Sequence, residues 1–218
     1  MTRWLITLAS LVLVIGIPVF LILSNVMMMM SPEWLAFQYS QPGFPKAERF
    51  NDKDRLYNAT ESIEYVRGNR TLAQFKALGV YEDREIKHMV DVRVLVDQVK
   101  IVLPVTGLLL LITLVALARD KSTRGYAAQG LIRGAALTII LFLAVGVFAA
   151  VGFSTFFTLF HRVFFEGDTW LFLYTDSLIQ FYPLPFWFAT SITLVLATLV
   201  EAGIIGVVGF VWVRKPHD

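Results

Sequence analysis

The chain has 218 residues, of which 56% are hydrophobic and 17% charged, with a net charge of +2 and no cysteine. A soluble domain carries about 25% charged residues and about 45–50% apolar ones, so this composition excludes an ordinary water-soluble domain and a disordered chain. The small net charge argues against a nucleic-acid partner. The absence of cysteine excludes disulfides, a thiol nucleophile and a zinc–thiolate site, and no phosphate-cradling glycine loop points to ATP-driven transport.

Four apolar runs are each long enough to cross a hydrocarbon core about 30 Å thick. They cover about 4–26, 101–118, 134–160 and 185–213, the last interrupted only by Glu201. The first leads into Asn25, Val26 and four methionines rather than a small-residue cleavage site, so it reads as a retained anchor and not a signal peptide. Lys and Arg in the short loops set the orientation. Arg3, Arg119, Lys121, Arg124, Arg133, Arg214 and Lys215 stand on one side, against Arg162 alone on the other. Both termini and the 119–133 loop are therefore expected in the cytoplasm, and 27–100 and 161–182 outside. The whole chain, 1–218, is expected to form a single membrane domain.

The 27–100 loop carries helix signals of its own. Asn58 with Glu61 resembles a capping box, with a stop near Gly68, and Thr71 with Gln74 repeats the signal, with a stop near Gly79. From Glu82 the chain reads as one helix running into the second span. The alternation of Val90, Val92, Val94 and Val96 offers a strand instead, but no turn signal separates this segment from the membrane run. The expected architecture is an all-α integral membrane protein with four transmembrane helices and a helical extracytoplasmic cap.

Three histidines are present. His217 lies in the C-terminal tail. His88, in the helix leading into span two, and His161, where span three ends, are expected at the same outer interface, 73 residues apart in sequence. Histidine can both take and give a proton near neutrality, so two at one depth can form an acid–base pair. Glu85 and Asp91 stand three residues before and after His88, on one helix face, where a carboxylate can orient an imidazole. The same histidines with Asp168 or Asp176 can instead be read as a metal site, although the tight spacing of a metal motif is missing. After His161 comes an aromatic-rich loop, Arg162 to Phe172, that can shape a lip for acyl chains, with Trp170 at the lipid–water boundary. Ser31, Ser154 and Ser177 have no histidine nearby in sequence and no nucleophile-elbow context. Glu201 reads as a structural hydrogen-bonding residue inside span four.

Two stretches resemble the bacterial family of small membrane proteins that includes the lipoprotein intramolecular transacylase, Lit. One is Glu85-Ile-Lys-His88-Met-Val-Asp91-Val. The other runs from Phe160-His161 through Phe165-Glu-Gly-Asp168-Thr-Trp170 to Asp176-Ser-Leu-Ile179 and Pro183; Ser62-Ile-Glu-Tyr65 also fits. The resemblance implies an acyltransferase that moves the sn-2 acyl chain of a lipoprotein's diacylglyceryl-cysteine to the α-amino nitrogen, with His88 and His161 as the catalytic pair. It implies a diacylated lipoprotein substrate in the cell membrane among phospholipid, an active site at the outer face, and no cofactor. Glu85, Asp91, Asp168, Trp170 and Asp176 are the expected supporting residues. The competing readings are a metal-dependent membrane hydrolase and a non-enzymatic scaffold or haem-binding subunit using the two histidines as axial ligands.

Overall fold

The computed structural model describes residues 2–214, so the expectations for His217 and Lys215 lie outside the described residues. Every regular element among them is a helix: α1 (Arg3–Met29), α2 (Pro32–Tyr39), α3 (Asp52–Val66), α4 (Leu72–Lys76), α5 (Asp83–Arg119), α6 (Arg124–Val151), α7 (Phe153–Phe164), α8 (Ser177–Phe181) and α9 (Leu184–Arg214). Helices α1, α5, α6 and α9 are long and apolar enough to cross a membrane. The chain is therefore an all-α, multi-pass membrane protein. Its described residues divide into two compact units, one of residues 2–26, 101–147 and 193–214, the other of residues 27–100 and 148–192.

The first unit packs by close approach. Leu13, Ile17 and Leu21 recur every four residues on α1, one face of the helix, and all three are buried. Opposite them on α6 stand Gly130 and Gly134. A Cβ at Gly130 would lie 2.5 Å from Leu13 Cδ1, and one at Gly134 would lie 2.6 Å from Ile17 Cδ1 and 2.9 Å from the Leu13 carbonyl oxygen. Only glycine admits the two helices at this distance. Asn25 Nδ2 donates to Glu201 Oε2 (2.8 Å) and to Thr198 Oγ1 (3.1 Å), so the acid inside the fourth apolar run has a hydrogen-bonded partner. Thr123 Oγ1 and Arg124 Nε donate to the carbonyls of Leu117 and Ala118, satisfying the end of α5 where the chain turns into α6.

The second unit packs around aromatic rings. Leu35, Ile63, Tyr65, Phe75, Met89, Phe181, Tyr182 and Phe186 belong to one buried cluster. Tyr65 stacks on Phe75 at 4.5 Å, with the Arg93 guanidinium 4.9 Å over the Tyr65 ring. The buried Tyr182 hydroxyl donates to the Ala59 carbonyl (2.6 Å) and meets Ser62 Oγ at 2.6 Å.

Two expectations about local structure hold and two do not. The Thr71–Gln74 capping box is present, and α5 is one helix from Asp83 to Arg119 with no strand in it. Helix α3, however, opens at Asn51, whose side chain accepts from the Asp54 N–H, and not at Asn58. Asn58 sits inside the helix and donates to the Asp54 carbonyl. The run 134–160 is not one helix either. Helix α6 ends at Val151, Gly152 leaves helical geometry (φ −138°, ψ 53°), and α7 starts anew at Phe153.

Candidate functional site

His88 lies on the first turns of α5, well before the apolar stretch 101–118, and His161 lies on α7. The interruption at Gly152 thus puts His161 on its own short helix rather than at the end of a span. The two imidazole rings are 6.1 Å apart between centroids and inclined by only 25°. Both residues are at least nine-tenths buried, with 8% and 9% of their surface exposed.

The two rings differ in what they touch. His161 Nδ1 is 2.8 Å from the Phe157 carbonyl oxygen, one turn back on α7. A carbonyl can only accept, so Nδ1 carries the proton and Nε2 is left with the lone pair. His88 Nδ1 is buried with no hydrogen-bond partner. A buried polar atom without a partner is costly and marks a place where something can bind. Burial is the main cause that pushes His88 down to about 4, and the neighbouring His161 adds to it. Burial also lowers His161, while its hydrogen bond to Phe157 works the other way by favouring the charged ring. Both shifts favour the neutral imidazole.

Aromatic rings close around the pair. Phe165 and Phe172 stand edge-on to His88 at 4.8 and 5.4 Å, and Trp170 and Phe157 lie against His161 at 5.0 and 4.1 Å. Residues 165–176 form an arm that carries three of these rings. After α7 the chain is extended at Phe165 and then turns at Gly167, whose φ of +65° is disfavoured for any residue with a Cβ. Trp170 Nε1 donates to the Gly167 carbonyl (3.0 Å), which fixes the indole within that turn.

The acidic residues expected beside the histidines have other partners. Glu85 is fully buried, and its two oxygens accept from the N–H groups of Glu82 (2.9 Å), just before α5, and Leu178 (2.7 Å), in the first turn of α8. Burial raises its carboxyl and these two hydrogen bonds oppose the rise. Asp176 accepts from Arg84 Nη2 at both oxygens (2.7 and 2.6 Å) and from the Leu173 N–H (2.6 Å). Asp168 is exposed and Asp91 half-buried. Among the described residues no three histidines or carboxylates stand close enough to hold a metal ion. Ser177 donates to the Val80 carbonyl and Ser31 caps α2, so both hydroxyls have structural partners. Phe172 belongs to the aromatic loop expected to form the lip, whereas Phe157 is a residue that sequence reasoning misses; its only signal there is its helical spacing to His161.

Comparison with known proteins adds three findings. Residues 11–187 match the family model of the lipoprotein intramolecular transacylase Lit. A relative from Aquifex aeolicus (strain VF5), an uncharacterised protein, is 27% identical over 188 residues, covering 83% of each chain. The solved structure of the membrane-integral lipoprotein intramolecular transacylase Lit from Bacillus cereus superposes with a TM-score of 0.83, at 21% identity over 98% of each chain. A variant of that protein with a histidine replaced by alanine superposes at 0.75, over 97% of this chain and 94% of the other.

Proposed function

This chain belongs to the lipoprotein intramolecular transacylase Lit family, a family of acyltransferases, and from that premise we propose that it moves the sn-2 acyl chain of a diacylglyceryl-cysteine to the α-amino group of the same lipoprotein. The product carries an N-acyl chain and one remaining glyceryl ester. The observation that supports the reading best is the meeting of His88 and His161, 73 residues apart in sequence, with ring centroids 6.1 Å apart among aromatic side chains.

The α-amine attacks the ester carbonyl, forming the C–N bond and placing the carbonyl electron pair on oxygen. The added nitrogen then gives up a proton, which His161 Nε2 is free to take because its Nδ1 proton is committed to Phe157. The C–O bond to glycerol breaks, its electron pair leaves with the glycerol oxygen, and that oxygen takes a proton back from the histidine pair. The exchange is balanced, with an ester and an amine giving an alcohol and an amide. No proton, electron or nucleotide is consumed. The unpartnered Nδ1 of His88 is suited to a hydrogen bond with the reacting group. With attacking and leaving groups in one molecule, positioning and proton transfer are the main tasks.

The site belongs at the outer face of a bacterial cell membrane, with both termini and residue 125 in the cytoplasm. Reporter fusions at residues 70 and 125 test this, and a cytoplasmic reading at residue 70 overturns it. Mass spectrometry of a lipoprotein N-terminus, from cells with and without this protein, tests the reaction. The N-acyl, monoacylglyceryl form is expected only with the protein present. An unchanged diacylglyceryl form rules the reaction out. Loss of activity with a chelator would turn the reading to a metal-dependent hydrolase, and a Soret band in the purified protein to a haem subunit.

A further inference from the structure

Glu85 stands one turn before His88 on α5, yet its carboxylate is bonded to main-chain N–H groups at the starts of two helices. The first, Glu82 N–H, is that of the residue just before α5. The second, Leu178 N–H, belongs to α8, immediately after the arm that carries Phe165, Trp170 and Phe172. Arg84, the preceding residue, donates to both oxygens of Asp176, the residue before α8. Adjacent side chains on α5 therefore hold the far end of the arm at two points. Between those points and His161 the arm has a turn at Gly167 and contacts with both imidazoles.

We infer that Glu85 and Arg84 are positioning residues for the acyl transfer: by holding the first turn of α8 against the first turn of α5, they fix the aromatic arm over both histidines and so set the spacing of the pair. The inference rests on the function proposed above. It assigns Glu85 a role through the backbone rather than a bond to an imidazole, and it explains why a carboxylate is needed. Two N–H donors far apart in sequence, Glu82 and Leu178, converge on one side chain, and a carboxylate accepts at both oxygens. An amide offers one oxygen, so glutamine would set its own N–H₂ against one of the two donors. The place of Glu85 in the first turn of α5 also favours a negative charge there, which helps to keep a fully buried carboxylate in place.

The test uses the full-length protein in proteoliposomes with a synthetic diacylglyceryl-cysteinyl peptide, measuring kcat, KM and thermal midpoint. Glu85→Gln is expected to lower kcat by about tenfold or more with KM within about twofold, since small misplacements at a reacting pair cost up to about 10²-fold. Arg84→Gln, at a half-exposed side chain, is expected to fold normally and to lower kcat by a few-fold in the same way. Ser62→Ala, which removes a buried hydrogen bond to Tyr182 elsewhere in the same unit, is the structural comparison; its midpoint falls while its kcat stays within about twofold. A normal kcat in Arg84→Gln, or a Glu85→Gln kcat that falls no further than that of Ser62→Ala, overturns the inference. If Glu85→Gln does not fold, the Arg84→Gln result decides alone. His88→Ala separates the two readings. Normal product from it ends the histidine mechanism, whereas a dead His88→Ala beside unaffected Glu85 and Arg84 variants ends only the positioning role.

Discussion

Leu13 and Ile17 meet two glycines in the membrane unit, whereas Tyr65 meets Phe75 beneath an arginine in the unit that carries the histidines. The contrast follows from the solvent. Lipid tails are as apolar as leucine, so burying a leucine between membrane helices gains little, and association comes from tight contact at small residues. The membrane unit accordingly buries alanines and close-packed aliphatics, with the Asn25–Thr198–Glu201 group satisfied internally. The other unit holds together with aromatic rings, cation–π contacts and side-chain to backbone hydrogen bonds. It is also where titratable groups are buried close to one another. Contact distance sets the stability of one unit, and polar satisfaction sets both the stability and the chemistry of the other.

The largest effect that would sharpen this contrast is at the histidines. His88→Ala and His161→Ala should each lower formation of the N-acyl product by about 10²–10⁴-fold in a protein that still inserts. The double variant should be little worse than the worse single one, because residues acting as a unit are strongly non-additive. The ester-to-amide ratio measures this, and normal product from either folded variant breaks the mechanism. Next comes Trp170→Ala, expected to cost about tenfold in transfer at a near-normal membrane level, with Trp170→Phe regaining most of it by keeping a ring on His161. Disappearance of Trp170→Ala from the membrane would make the indole a packing residue.

In the membrane unit, Gly134→Leu should leave the chemistry alone and lower stability by about 1–3 kcal/mol, as overpacking does, read as a fall in thermal midpoint at unchanged kcat. Ile17→Ala should relieve it only in part, because the Leu13 carbonyl is in the way as well. A loss of stability is also expected as the pH falls. Folded His88 stays neutral down to about 4, whereas the unfolded residue binds a proton near 6.5. Its contribution is therefore full above 6.5 and lost as the pH falls toward 4, about 2 kcal/mol by pH 5. Glu85, with its raised carboxyl, works in the opposite direction, so the slope due to His88 is the difference between the wild type and His88→Ala; equal slopes would show that His88 is not held neutral. The smallest effect belongs to Asn25→Leu, about 1 kcal/mol or less, as for other hydrogen bonds between membrane helices. A loss of several kcal/mol would mean that polar satisfaction governs the membrane unit too.

Much of this was legible in the sequence. Apolar length gave four spans, and the missing turn signal kept α5 helical through its run of valines. The pairing of His88 with His161 was readable as a shared depth, since both flank apolar runs on the same side of the predicted topology. Other features were not legible. Gly152 interrupts a stretch without a single charge, and hydropathy cannot register a break between two equally apolar helices. Asn58 and Glu61 have the spacing of a cap and point to the wrong start for α3, whose working cap is Asn51 with Asp54. Glu85 has the correct helical offset to reach His88, but its partner Leu178 offers a main-chain N–H, and main-chain donors look alike at every position in a sequence.

The hydrogen bond from His161 Nδ1 to the Phe157 carbonyl has a consequence for how this protein can change over evolutionary time. In a serine-protease triad the group that orients the histidine is a side chain, and a single codon change can delete it. Here the acceptor belongs to the main chain, and any amino acid at position 157 supplies it. The ring that lies on His161 is free to vary, but the orienting oxygen persists as long as α7 remains a helix. Drift at position 157 can therefore retune the packing on the imidazole without altering its tautomer. Losing that tautomer requires a change that unwinds a whole turn, such as a proline at one of the positions just after Phe157.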